Sequence, residues 1–279
     1  MNRIIKTSVI LFSVFALGLS SCTSDDDNPK EEPQPVSNEL SGEVGSDLTL
    51  DPAVAYQLTG TLEVLAGATL TIPAGTLITA LERPDAFIAV NKGAKIFVNG
   101  TAEKPVVMTS ANANPGDWGG LLLLGEATTT EGIDAIAEVG GLIYGGSNDQ
   151  DSSGSLEYLI IAGAGAQINA ESQYNGLTLY SVGSGTHIEN IAILDGADDG
   201  VEFFGGTVSV NNLYLENNED DAVDWTEGFS GTVSNTYVKH SIEGFSTAVE
   251  ADGTNGNPTL VNFTAISSTG GTALQFKKE

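Results

Sequence analysis

Apolar and polar residues alternate in short runs along most of this chain, and the runs repeat. LEVLAGATLTIPAGTLITA (62–80) and FIAVNKGAKIFVNGTAEKPVVMTS (87–110) each break at small turn residues. Later, GLTLYSVGSGTHIENIAILDGADD, GVEFFGGTVSVNNLYLENNEDD and AVDWTEGFSGTVSNTYVKHSIEGF follow one another from Gly176 to Phe245. Their starts, Gly176, Gly200 and Ala222, are 24 and 22 residues apart. The runs are too short for helices and rich in Val, Ile, Thr, Tyr and Phe, which predicts strands. A fixed period of this size marks units that bury their apolar faces only against neighbours. The pattern therefore predicts an all-β fold, a right-handed single-stranded parallel β-helix.

The periodic part is predicted to span 40–279. Residues 40–60 are expected to cover the open end of the stack, because an unpaired parallel edge invites association. Between Glu126 and Ser153 the period lapses, with Gly140-Gly141, Gly145-Gly146 and Asn148-Asp149-Gln150-Asp151 in the gap. An inserted loop at 126–153 is expected, and loops on rigid scaffolds often carry function. TLVNFTAISSTGGTALQF (259–276) opens another rung that Lys277-Lys278-Glu279 stops. Either the chain is a shortened version, or the two lysines guard the edge.

The first residues follow another logic. Arg3 and Lys6 precede the apolar ILFSVFALGL, so 1–21 reads as an export signal. It ends in Leu19-Ser20-Ser21-Cys22, which resembles a bacterial lipobox and implies lipidation of Cys22, the single cysteine. The polar, proline-containing 22–39 is expected to be a disordered acidic tether. Its Ser24-Asp25-Asp26-Asp27 resembles the surface-export signal of Bacteroidota lipoproteins. The membrane is thus one expected partner, through Cys22, on the outer face of the outer membrane.

Charge narrows the other partners. The chain has 37 acidic and 10 basic residues, for a net charge of −27. Nucleic acid is excluded as a partner by charge. No Lys or Arg lies between Lys104 and Lys239, so a lyase that abstracts a proton with Arg or Lys has no candidate there. An anionic polysaccharide can meet it only through bridging cations.

The repeat places acids in columns. Asp198, Asp199 and Glu202 recur as Asp220, Asp221 and Asp224, each 22 residues on. Equivalent positions on adjacent rungs lie about 4.8 Å apart. Carboxylates that close need a cation, shared protons or open water. These six residues are candidate ligands for Ca²⁺, a hard cation that takes several oxygens. Alternatively, Asp198, Asp199, Asp220 and Asp221 offer the carboxylate pairs that hydrolyse glycosides, at roughly 5–5.5 Å in retaining enzymes. The plainest alternative is acidic turns that solvate the outside of the solenoid. Trp225, Tyr180 and Tyr214, with Phe203 and Phe204, lie beside the acids in sequence. Trp225 is the best candidate to stack on a sugar, followed by Tyr180 and Tyr214, whereas Trp118, between glycines, suits packing. His187 and His240 fall on different rungs, which argues against zinc, and GAGA (163–166) reads as a turn.

TLTIPAGTLI (69–78), PGDWGGL (115–121), NGLTLYSVGSGT (175–186), GADDGVEFFGGT (196–207) and DDAVDWTEGFSG (220–231) together resemble a family of β-helix lipoproteins of Bacteroidota. The resemblance covers roughly Leu40 to Phe276 and implies the fold. Members of that family continue through further rungs. The expected function is a lipid-anchored envelope module that binds a glycan or another surface polymer without turnover, assisted by Ca²⁺. The alternatives are a polysaccharide-degrading enzyme using the stacked carboxylates and a structural envelope protein.

Overall fold

The alternating runs become strands because their β-branched and aromatic residues pack on a pleated surface and the intervening glycines and asparagines turn the chain. A computed structural model describes residues 37–277 apart from 171 and 255. The export signal, Cys22 and most of the tether lie outside the described residues. The first strands are β1 (Glu39–Val44), β2 (Leu48–Thr49), β3 (Ala55–Val64), β4 (Thr69–Pro73), β5 (Leu77–Ala80), β6 (Phe87–Val90), β7 (Lys95–Asn99), β8 (Val106–Ser110) and β9 (Gly120–Leu124). After β10 (Ala135–Ile136) and β11 (Ile143–Tyr144) come β12 (Gly154–Ala162), β13 (Leu177–Tyr180), β14 (His187–Leu194), β15 (Val201–Phe204) and β16 (Ser209–Glu216). The last are β17 (Val223–Thr226), β18 (Thr232–His240), β19 (Val249–Asp252), β20 (Thr259–Ser267) and β21 (Gln275–Lys277).

All strands but β10 and β11 stack in parallel, and the result is the expected parallel β-helix. One strip runs β6–β9–β13–β15–β17–β19–β21. A second begins β2–β4–β7, and a third β3–β5–β8. These two strips merge at β12, whose halves pair with β7 and β8. From there β14, β16, β18 and β20 continue as long bent strands. The bend lies at a residue with positive φ, occupied by Asn190, Asn212, Asn235 and Asn262 on successive rungs. Asparagine tolerates this left-handed geometry better than most residues. Residues 39–49 enter as the first, partial rung, β1 pairing with β3 and β2 with β4, rather than as a separate cover.

Register settles what each strip turns inward. The columns Ile88–Leu121–Leu177–Val201–Val223–Val249 and Val90–Leu123–Leu179–Phe203–Trp225–Ala251 point into the core. Trp118 is fully buried, as expected, and its indole donates to the Ala162 carbonyl at 2.9 Å.

The insertion does not hang free. It spans the residues between β9 and β12, carries the antiparallel pair β10–β11, and folds back on the first strip. Ala137, Val139 and Tyr144 pack on the outward side chains Phe87, Leu122, Leu124, Tyr180 and Phe204 in a second apolar cluster. Polar contacts hold it as well, among them Ser184 and Thr207, whose hydroxyls donate to the Asp149 carbonyl at 2.8 and 2.6 Å. Lys92 donates to the Gly145 carbonyl at 2.9 Å and pairs with Asp134. Across the molecule, Glu227 accepts hydrogen bonds from Thr129 Oγ1 at 2.7 Å and from the Tyr144 hydroxyl at 2.8 Å.

Candidate functional site

The strip covered by the insertion at its N-terminal end changes character further along. Its outward column reads Ala89, Leu122, Thr178, Glu202, Asp224, Glu250, Gln275. The repeat puts Glu202 beside Asp224, and the turns before β15 and β17 bring Asp198-Asp199 beside Asp220-Asp221. The Asp221 amide donates to Asp199 Oδ1 at 2.9 Å, which pins one turn on the next. Asp221 Oδ1 in turn accepts from the amide and hydroxyl of Thr247, at 2.6 and 2.7 Å. Asn175 donates to Glu202 Oε2 at 2.6 Å.

All six predicted acids therefore belong to one cluster, and Glu250 joins it. Asp198, Asp199 and Asp220 form one triplet, Asp199, Glu202 and Asp224 a second, and Asp221, Asp224 and Glu250 a third. Within each triplet one oxygen of every residue lies within 4.8 Å of the others. Two oxygens across a Ca²⁺ ion with bonds of about 2.4 Å stand about 4.8 Å apart, so the spacing fits that ion. An all-oxygen donor set also suits Ca²⁺ better than zinc.

Asp220 is exposed, as an acidic surface turn would be, but most of the cluster is not. Asp199, Asp221, Asp224 and Glu250 are 6%, 2%, 8% and 5% exposed. Burial, followed by the charge of neighbouring acids, pushes the Asp198 carboxyl up to about 7 and that of Asp224 up to about 8. Asp199 and Glu202 are raised well above the carboxylate range for the same two reasons. Asp220 and Asp221 are raised as well, burial again the main cause. Lys277, paired with Glu250, is the one lysine among the described residues whose charge reaches Asp220, Asp221 and Asp224. Asp224 Oδ1 and Glu250 Oε1 are buried with no hydrogen-bond partner among the described residues. An open cavity of about 380 Å³, bordered by Gln173, Asp198, Glu219, Asp220 and Glu243, lies against the Asp198–Asp220 edge.

The three candidate rings fare differently. Trp225 is buried in the core, its ring 6.4 Å from that of Phe229. It follows Asp224 directly, and adjacent strand residues face opposite sides. With Asp224 outward, Trp225 must point inward, so the expectation that it stacks on a ligand is corrected. Tyr180 does face outward, but the insertion seals it. Its ring lies 4.4 Å from Phe204 and 4.9 Å from Tyr144, and it is 1% exposed, so it too is corrected. Phe203 is fully buried in the core. Tyr214 is half-buried on a different strip, away from the acids, and stacks on Tyr237 with ring centroids 6.0 Å apart. His187 is exposed beside Glu157 and Glu189, whereas His240 is buried against Phe245 with ring centroids 3.8 Å apart.

Glu250 escaped the sequence reading because a longer turn sets it 26 residues after Asp224. The signal was present in Ala248-Val249-Glu250, which repeats Ala222-Val223-Asp224 and Gly200-Val201-Glu202. Glu227 had no such signal, since its partners lie 98 and 83 residues away.

These features define a parallel β-helix with a stack of partly buried carboxylates along one outer strip. The chain belongs to the family of pectate-lyase-like β-helix domains, which accounts for residues 42–275. No curated protein and no solved structure is similar enough to the chain to count as a match.

Proposed function

We propose that this protein is a lipid-anchored β-helix of the outer membrane surface that binds a polysaccharide or similar envelope polymer without cleaving it, with Ca²⁺ held in the carboxylate stack. The observation that carries the reading is the set of three overlapping triplets with unpartnered, buried oxygens at Asp224 and Glu250. So many buried carboxylates, with Lys277 alone near them among the described residues, call for protons or a cation. A bound divalent ion offers its open coordination positions to the carboxylates or hydroxyls of a polymer. The lipobox-like Leu19-Ser20-Ser21-Cys22, the acidic tether and the resemblance to Bacteroidota lipoproteins support the anchor and the location.

The test is the melting temperature of the purified protein in chelator and in millimolar Ca²⁺. A ligand of the folded state stabilises it by mass action, so a rise of about 4 °C or more is expected. An unchanged melting temperature would overturn the calcium reading. A second reading, glycoside hydrolysis, is favoured by one observation. Asp198 and Asp220 border an open cavity while burial holds their carboxyls toward the protonated form. Reducing sugar released by the wild-type protein and lost in Asp220→Asn would select it over binding alone.

A further inference from the structure

The bent strands carry a second outward column, separate from the acids, and it has a gap. On successive rungs it reads Ile160, Ala192, Tyr214, Tyr237, Thr264. The Tyr214 and Tyr237 rings are nearly parallel, 4° apart. Ala192 stands where the next ring of that stack would be, and its side chain ends at Cβ. One face of Tyr214 is covered by Tyr237, and the other opens on a space one rung deep, about 4.8 Å. Ile160 closes the far side. A cavity of about 300 Å³ occupies this place, with Thr101 and Pro105 among the residues around it.

The residue at the bend sharpens the picture. Four rungs place asparagine in the left-handed geometry, but the rung above the gap places Tyr158 there, at φ 49. A bulky residue in that region is strained, and such strain points to a role for the side chain. Tyr158 lines the same cavity. Its hydroxyl makes no hydrogen bond among the described residues, nor does the Asn190 amide nitrogen. Asn190 accepts from Asn212 through Oδ1 at 3.1 Å, which leaves that nitrogen free to donate. Tyr214 is held in place, its hydroxyl bonded to Glu216.

We propose that this gap is a docking slot for one ring of a neutral oligosaccharide. The pyranose ring would lie flat on Tyr214 as the missing member of the stack, since its C–H face matches an aromatic face. Its hydroxyls would meet the Tyr158 hydroxyl and the amides of Asn190 and Asn212 at the rim. Charge selects the class of ligand. Not one residue lining the cavity carries a full charge, on a chain of net charge −27 that repels polyanions. The slot therefore suits uncharged sugars and needs no metal, unlike the carboxylate stack.

The experiment titrates the full protein with cellohexaose, mannohexaose and maltohexaose in chelator, by calorimetry and by saturation-transfer NMR. Binding of at least one is expected. Ala192→Tyr should fill the gap, weaken that binding at least tenfold and raise the melting temperature. Tyr158→Asn restores the residue of the other rungs, so the fold should hold while binding falls at least threefold. Tyr214→Ala should abolish saturation transfer to the sugar ring. No binding to any of the three sugars, or binding unchanged in Ala192→Tyr, would overturn the proposal. Because chelator is present throughout, either result stands apart from the outcome of the calcium test.

Discussion

The two ends of one outer strip solve the same problem in opposite ways. At Leu122 the outward column is apolar, fully buried, and covered by Ala137, Val139 and Tyr144 of the insertion. Two and three rungs on, the same column holds Glu202 and Asp224. Their surroundings remain dry enough to push Asp224 up to about 8. The backbone and register are alike in both halves, so the scaffold does not decide the chemistry. The side chains do. An apolar cover stabilises one half outright, whereas the acidic half calls for protons, a cation or water to offset its crowded charge. Dry carboxylates with such a requirement are costly to keep as mere solvating surface.

The sharpest way to break the comparison is to move an acid across it. Leu122→Asp places a carboxylate under the insertion, away from the stack, where apolar side chains surround it. A loss of about 3–5 kcal/mol in chemical denaturation is expected. A loss under about 1 kcal/mol would mean that the covered half tolerates charge and that the two halves do not differ. The next largest effect concerns the cover. Glu227→Ala leaves Thr129 and Tyr144 without their acceptor, at a cost of about 2–3 kcal/mol. Amide exchange across residues 125–153 should quicken while the core strands stay protected. Uniform exchange in the variant would show that the insertion does not depend on this clasp.

The fold was legible because the 22-residue step sets chemically similar residues above one another, and only a stacked parallel coil gives such a step a use. The acid columns were legible for the same reason, up to the turn where the step lengthens before Glu250. Trp225 was misread for a local reason, since the parity of Asp224 already fixed it inward. Tyr180 was misread for a non-local one. Its outward parity was sound, but Tyr144 covers it from 36 residues away. Tyr214 lies close to the acids in sequence yet on another strip, because each rung turns the chain between them.

Protonation sharpens the comparison without any substitution. Asp198, Asp199, Glu202, Asp220, Asp221 and Asp224 have folded-state pKa values above their unfolded ones. The stability they allow is present below about pH 4 and is lost as pH rises through about 7 for Asp198 and about 8 for Asp224. In chelator the protein should be less stable at about pH 8.5 than at about pH 6.5, by on the order of 2 kcal/mol. Asp224→Asn should shrink that difference, and Ca²⁺ should reverse it, since the ion binds the ionised form. A flat melting temperature across this window in chelator would mean that water, not protons, serves the acids.

His240 supplies the smallest effect and the opposite sign. Burial lowers its imidazole to about 4, and neither ring nitrogen has a partner among the described residues. A base with a depressed folded pKa contributes stability above its unfolded pKa of about 6.5 and loses it as pH falls toward 4. His240 therefore bounds the acidic side of the window that the carboxylates bound on the alkaline side. His240→Phe keeps a ring against Phe245 and removes the two unmet nitrogens, which should add about 1 kcal/mol at neutral pH. Below about pH 6 the gain should grow, because the variant no longer takes up a proton on unfolding. A gain that stays constant from about pH 7 to pH 5 would assign the acid limb to groups other than His240.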